Sequence, residues 1–139
     1  MRCKSGPWVI LTRAMSEQPR LALLPSDSPR AQEAAEALRA GGDFVPLDKA
    51  DAAVVVGGDG HMLHVLHAML DAGRVIPAYG LNLGTVGFLM NRHRPGRALA
   101  ERVARARPLA VTPLEMTATT GNGDEQSFCA INEVSLLRE

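Results

Sequence analysis

The sequence has no surplus charge of either sign: its 15 basic side chains balance 15 acidic ones, so nothing in the composition marks a surface for nucleic acid or another polyanion. It is equally short of cysteine. Cys3 and Cys129 are far apart and lack C-x-x-C spacing, which argues against a disulfide framework and for two unremarkable thiols in a reducing compartment. Long hydrophobic runs are missing too. The N-terminal stretch has an apolar core only from Trp8 to Leu11, shorter than the core of a secretory signal, and no small-residue cleavage pattern follows it. A cytoplasmic protein without membrane association is the expectation. The sequence contains no internal repeat and no low-complexity tract. What is there suits a folded domain: 46% of the 139 residues are apolar and 22% charged, which excludes the composition of disorder.

Periodicity then orders the chain. "RLALLPS", residues 20–26, is a short apolar run closed by a turn signal. Ser28 follows as a candidate N-cap with Pro29 at the first helical position, and Ala31, Ala34, Ala35 and Leu38 recur at helical spacing up to Gly41 and Gly42. "FVPL" at 44–47 reads as a short second strand. "DAAVVV" reads as a strand buried on both faces, after which Met62, Leu63, Leu66, Met69 and Leu70 form a helical stripe closed by Gly73. "VIPAYGLN" at 75–82 is the next strand, and residues 95–107 form a further helix with Leu99 and Val103 on one side. Strands alternating with helices at this spacing imply βαβ crossovers, hence an α/β fold with a mostly parallel sheet and flanking helices, and ligands beyond the carboxyl ends of the strands. Past residue 110 the character changes: β-rich segments on either side of "GNGDE" read as two strands joined by a turn. The division expected is an N-terminal extension over 1–19, an α/β nucleotide-binding domain over 20–110, and the start of a truncated β-rich second domain over 111–139.

The chemistry concentrates where two strands end. In "DAAVVVGGDGHML" a buried run stops at Gly57, Gly58, Asp59 and Gly60. Glycines let a phosphate or ribose come close to the backbone, and the helix that follows offers free N–H groups and a positive dipole end. A carboxylate there repels phosphate but suits a hydroxyl that is to attack phosphorus, or a Mg²⁺ ion. The plainer alternative is a tight strand-to-helix turn in which Asp59 caps the helix. The next loop, "GLNLGTVGFLMN", carries Asn82, Gly84 and Gly87 at a spacing that can wrap a ligand, with Phe88 available to pack on a flat ring or to join the core. In "AINEV", Asn132 and Glu133 sit side by side in an apolar strand, so one of the two would be buried unpaired unless the strand borders a site. His61, His64 and His67 form H-x-x-H-x-x-H, but three-residue steps lag the helical period and no carboxylate or thiolate has matching spacing. No resident metal site is expected there.

Together "GGDG", "NLGTVGFLMN" and "NEVSLL", in that order from about Arg20 to Glu139, resemble the NAD kinase family. "GGDG" alone is also similar to the loop of phosphofructokinases and of diacylglycerol and sphingosine kinases, and the other two segments narrow the match. The resemblance implies ATP-dependent phosphorylation of the 2′-hydroxyl of the adenosine ribose of NAD, with Mg²⁺ arriving with ATP. By it Asp59 is the general base beside Gly60, Asn132 and Glu133 bind the dinucleotide, Phe88 lies near the adenine, and His64 stands where the family often has arginine. It also implies a homo-oligomer of the full-length protein. The family's second domain, with residues that close over NAD, is not in these 139 residues, so this polypeptide alone is expected to be inactive or nearly so. Two other functions fit the same loops: a lipid or sugar kinase sharing GGDG, and a noncatalytic nucleotide-binding or assembly module.

Overall fold

Five consecutive residues of the 52–57 segment, all Ala or Val, are buried, and the fold is built around them. The computed structural model describes residues 18–83, 87–92, 98–131 and 133–135. The chain divides into two compact units, the larger within Thr12–Pro108 and the smaller including Leu109–Glu139.

In the larger unit, β1 (Leu21–Pro25) leads to helix α1 (Pro29–Ala40), β2 (Ala52–Gly57), helix α2 (Asp59–Asp71), β3 (Ala78–Asn82), β4 (Asn91–Arg92) and helix α3 (Leu99–Ala104). The strands form one sheet in the order β1-β2-β3-β4, every pairing parallel. Alternation along β2 explains the layers. Val54 and Val56 join Ala31 of α1 and Val103 of α3 in one cluster, while Val55 joins Met62, Val65 and Met69 of α2 in another. Successive strand residues point to opposite faces, so a run apolar at every position is what a sheet covered on both sides requires. The expected α/β class with a mostly parallel sheet and flanking helices is what the structure has.

The punctuation works largely as read. Ser28 Oγ accepts the Ala31 N–H at 3.3 Å, with Pro29 next in the chain. At the end of α2 the Gly73 N–H reaches the Leu70 carbonyl at 3.0 Å and the Arg74 N–H the Met69 carbonyl at 3.1 Å, a Schellman cap with Gly73 at φ 67°. Arg74 then donates to the carbonyls of Leu47 at 2.6 Å and Ala50 at 3.1 Å, tying the helix end to the approach of β2.

Four expectations are corrected. "FVPL" forms no strand: Val45 donates one bond to the Leu21 carbonyl, but Pro46 has no N–H to continue a ladder, and the chain turns into a 3₁₀ turn at Leu47–Lys49. The strand expected over 75–82 starts only at Ala78, just after Pro77. The helix expected to reach Arg107 ends at Ala104, with Arg105 as its C-cap. On α2 the buried side chains are Met62, Val65 and Met69, so Val65 belongs to the inward stripe in place of Leu63 and Leu70.

The smaller unit holds a hairpin of β5 (Leu114–Thr119) and β6 (Glu125–Ala130), antiparallel, joined across the expected turn. Its ladder stops at the pair Leu114 and Ala130, where Pro113 has no N–H to extend it. Glu133 therefore lies beyond the strand and is exposed, so the argument from a buried polar pair in a strand fails for it. Asn132 lies outside the described residues. Cys129 is disulfide-bonded and so is not the unremarkable thiol expected. No helix among the described residues is long and apolar enough to cross a membrane.

Candidate active site

The parallel register brings three strand ends to one edge. Pro25 of β1 pairs with Val56 of β2, and Gly57 of β2 pairs with Asn82 of β3, so Ser26, the GGDG turn and the loop after Asn82 leave the sheet side by side. A Cβ on Gly57 would lie 3.2 Å from Ser26 Oγ and 3.3 Å from His61 Cβ, so this glycine fills a tight joint between β1 and α2. His61 Nε2 lies 3.1 Å from the Leu24 carbonyl, an acceptor only, which puts the proton on Nε2.

Gly58 is the N-cap of α2 with no side-chain capping bond, and Asp59 is the first helical residue. The capping alternative for Asp59 is thereby excluded. Its carboxylate turns instead toward the loop after β3: the Phe88 N–H donates to Oδ2 at 2.9 Å and the Leu89 N–H to Oδ1 at 3.1 Å. Each carboxylate oxygen thus accepts one backbone donor and keeps lone-pair capacity for another partner. Asp59 is only partly buried, and Gly58 and Gly60 on either side are exposed, with nothing within 4 Å of where a Cβ would sit. The site is a fixed carboxylate with open space on both flanks.

The other candidates fall into three groups. Asn82 ends β3, opposite Gly57 and partly buried. His64 is exposed on α2, one turn past Gly60, and Phe88 is fully exposed, so its ring is not core while its backbone holds Asp59. Gly84 and Asn132 lie outside the described residues, and Glu133 belongs to the smaller unit. Among the described residues there is no group of three or more His, Cys, Asp or Glu side chains that could hold a metal ion. The contacts that the sequence leaves unmarked are the Phe88 and Leu89 N–H groups. Backbone donors have no side-chain signature, and only the glycine just before them hints that the chain comes close there.

This edge defines the class of protein first: a parallel α/β domain that presents a glycine-flanked carboxylate where its strands end. A family model described as the ATP-NAD kinase N-terminal domain matches residues 10–105. The chain is 53% identical over 125 residues to an NAD kinase of Rhizorhabdus wittichii, covering 90% of this chain and 48% of that protein. It is 48% identical over 120 residues to an NAD kinase of Zymomonas mobilis, covering 86% and 46%. An NAD kinase of Rhizobium meliloti shares 50% identity over 120 residues, covering 86% and 45%. The chain belongs to the NAD kinase family, and it spans about half the length of the curated relatives it matches.

Proposed function

We propose that this chain is the N-terminal part of an ATP-dependent NAD kinase that phosphorylates the 2′-hydroxyl of the adenosine ribose of NAD. The observation that carries the reading is the Asp59 carboxylate, fixed at the sheet edge by the N–H groups of Phe88 and Leu89 with open space on both sides. In this mechanism the 2′-hydroxyl donates a hydrogen bond to Asp59. Its oxygen attacks the γ-phosphorus of Mg·ATP in line, the bond from that phosphorus to the β,γ-bridging oxygen breaks, ADP leaves, and the hydroxyl proton passes to the carboxylate. Gly57, Gly58 and Gly60 leave room for the nucleotide phosphates near the start of α2. Asn82 and the exposed Phe88 ring line the dinucleotide on the β3 side, the ring against adenine, and His64 reaches the ligand edge, while Gly84 is assigned to the same site by the family resemblance.

By the family resemblance Asn132 and Glu133 are dinucleotide-binding residues, and the β-rich hairpin begins a second domain. Residues 1–139 alone hold part of this machinery and turn over little or nothing, and the full-length protein assembles as a homo-oligomer. The test is Asp59→Asn in a protein of the relatives' full length, assayed for NADP formation. Turnover falls roughly 10²- to 10⁴-fold, the range for a positioned general base, while the KM values for NAD and ATP change little. Unchanged turnover removes Asp59 from the base role, and dinucleotide binding without phosphate transfer in the unmodified protein moves the assignment to a binding module.

A further inference from the structure

The loop after β3 reaches Asp59 by an approach closer than most side chains would permit. A Cβ placed on Gly87 would overlap Asp59 Oδ1 and stand 3.0 Å from its Cγ and 3.1 Å from Met90 Cγ. The next two residues supply the N–H groups that hold the two carboxylate oxygens. Gly87 has no left-handed backbone to explain its presence: among the described glycines, positive φ occurs only at Gly73 and Gly123. Space alone accounts for it. Gly58 and Gly60, the glycines flanking Asp59 in its own turn, have open surroundings, so the steric demand on the carboxylate comes from the opposite loop.

From this we infer that Gly87 is a positioning residue: by lacking a side chain it lets the 87–89 backbone clamp the Asp59 carboxylate in one plane and one place. The inference rests on the base role proposed above for its effect on turnover, but the clamp itself does not. The geometry has a definite consequence. A methyl group at position 87 pushes the carboxylate out of reach of both donors, and the side chain is left to its own rotamers. Misplacement of a reacting group by about 1 Å can cost 10²-fold in rate without weakening substrate binding.

The experiment is a double-mutant cycle in the full-length protein, using Gly87→Ala, Asp59→Ala and the pair, read by thermal midpoint and by NADP formation. Gly87→Ala is expected to lower kcat roughly a hundredfold with KM for NAD and ATP little changed, and to lower the thermal midpoint. In the Asp59→Ala background the same substitution should cost almost nothing in either readout, because the group it collides with is gone. Equal losses in both backgrounds, or no loss in either, overturn the inference. Adding Met90→Ala to Gly87→Ala tests the neighbouring contact, and recovery there transfers the effect to Met90 and overturns it as well. If Gly87→Ala alone does not fold, the pair with Asp59→Ala should fold, and failure of both to fold counts against the clamp. Should Asp59→Ala keep its turnover, the base reading falls, while the cycle in thermal midpoint still decides whether Gly87 sets the place of Asp59.

Discussion

β2 and β6 are both six residues long, yet five residues of β2 are buried and none of β6 is. β2 lies between two parallel neighbours with helices over both faces. Among the described residues β6 pairs only with β5, antiparallel, and the hairpin gathers Leu114, Met116 and Phe128 on one face, with Leu114 and Phe128 exposed. A two-stranded hairpin is marginal by itself, whereas a strand held on both edges and both faces cannot shift without moving a whole layer. The difference teaches where a side chain can be held in place: Asp59 begins the helix that follows a strand held on both edges and both faces.

Substitutions of similar size should therefore have unequal effects in the two regions. The largest is expected at Gly80 in β3, whose Cβ would overlap Met90 Sδ and approach Met62 Cε at 2.8 Å and the Leu89 carbonyl at 3.0 Å. The two methionine ends can swing aside, but the carbonyl belongs to the loop that clamps Asp59, and Asn91 Nδ2 is bonded to the Gly80 carbonyl at 3.3 Å. Gly80→Ala should lower stability by about 1–3 kcal/mol, the range for overpacking, seen as a lower urea midpoint with an unchanged slope. An unshifted midpoint would break the comparison. A smaller effect is expected at Phe128 on the hairpin. Phe128→Ser in the 139-residue chain should change stability by no more than about 0.5 kcal/mol, as surface substitutions do. In a protein of the relatives' full length the same change should cost clearly more if further strands cover that face, and equal costs in the two proteins would leave the hairpin without the second domain proposed for it.

The same contrast decides what could be read from the sequence. β2, α1 and α2 were legible because burial on both faces imposes an unbroken apolar run and a covered helix imposes a periodic one. Ser28, Pro29 and Gly73 were legible because capping chemistry is local. The strand expected at "FVPL" does not form and the one expected from residue 75 starts only after Pro77, since composition marks an extended segment but a ladder needs a donor that proline lacks. The two-residue β4 has no periodicity to detect. At the candidate site Asp59, its glycines and Phe88 stood out by residue type, and the resemblance put Phe88 near the adenine. The partners of Asp59 did not stand out: they are peptide N–H groups, identical at every residue, and only tertiary approach singles out those of Phe88 and Leu89.

The smallest effect is expected inside the sheet unit itself, at its exposed rim, where rigid surroundings should not make a contact strong. Arg20 and Asp51 form a two-pronged pair at the start of β1 and β2, with Arg20 Nε donating to Asp51 Oδ2 at 3.1 Å and the terminal nitrogen to Oδ1 at 2.9 Å. The Arg20 backbone N–H also donates to Asp51 Oδ2, at 2.9 Å. Both side chains are largely open to water, so solvent and salt screen the attraction and the entropy of fixing two long side chains offsets it. The hydrogen bond to Asp51, and then its charge, raise the Arg20 guanidinium above its ordinary range. A raised basic group contributes fully below its unfolded value and loses that contribution only as pH climbs through the folded one, which lies beyond any working buffer. Arg20 therefore adds no pH dependence near neutrality, and ionic strength is the lever that acts on the pair. Asp51→Asn should lower the thermal midpoint slightly at low salt, and the difference from the unmodified protein should vanish as salt is raised. A large loss that persists in high salt would mean that Asp51 acts through the backbone bond to Arg20, and that the rim of the sheet shares the rigidity of its centre.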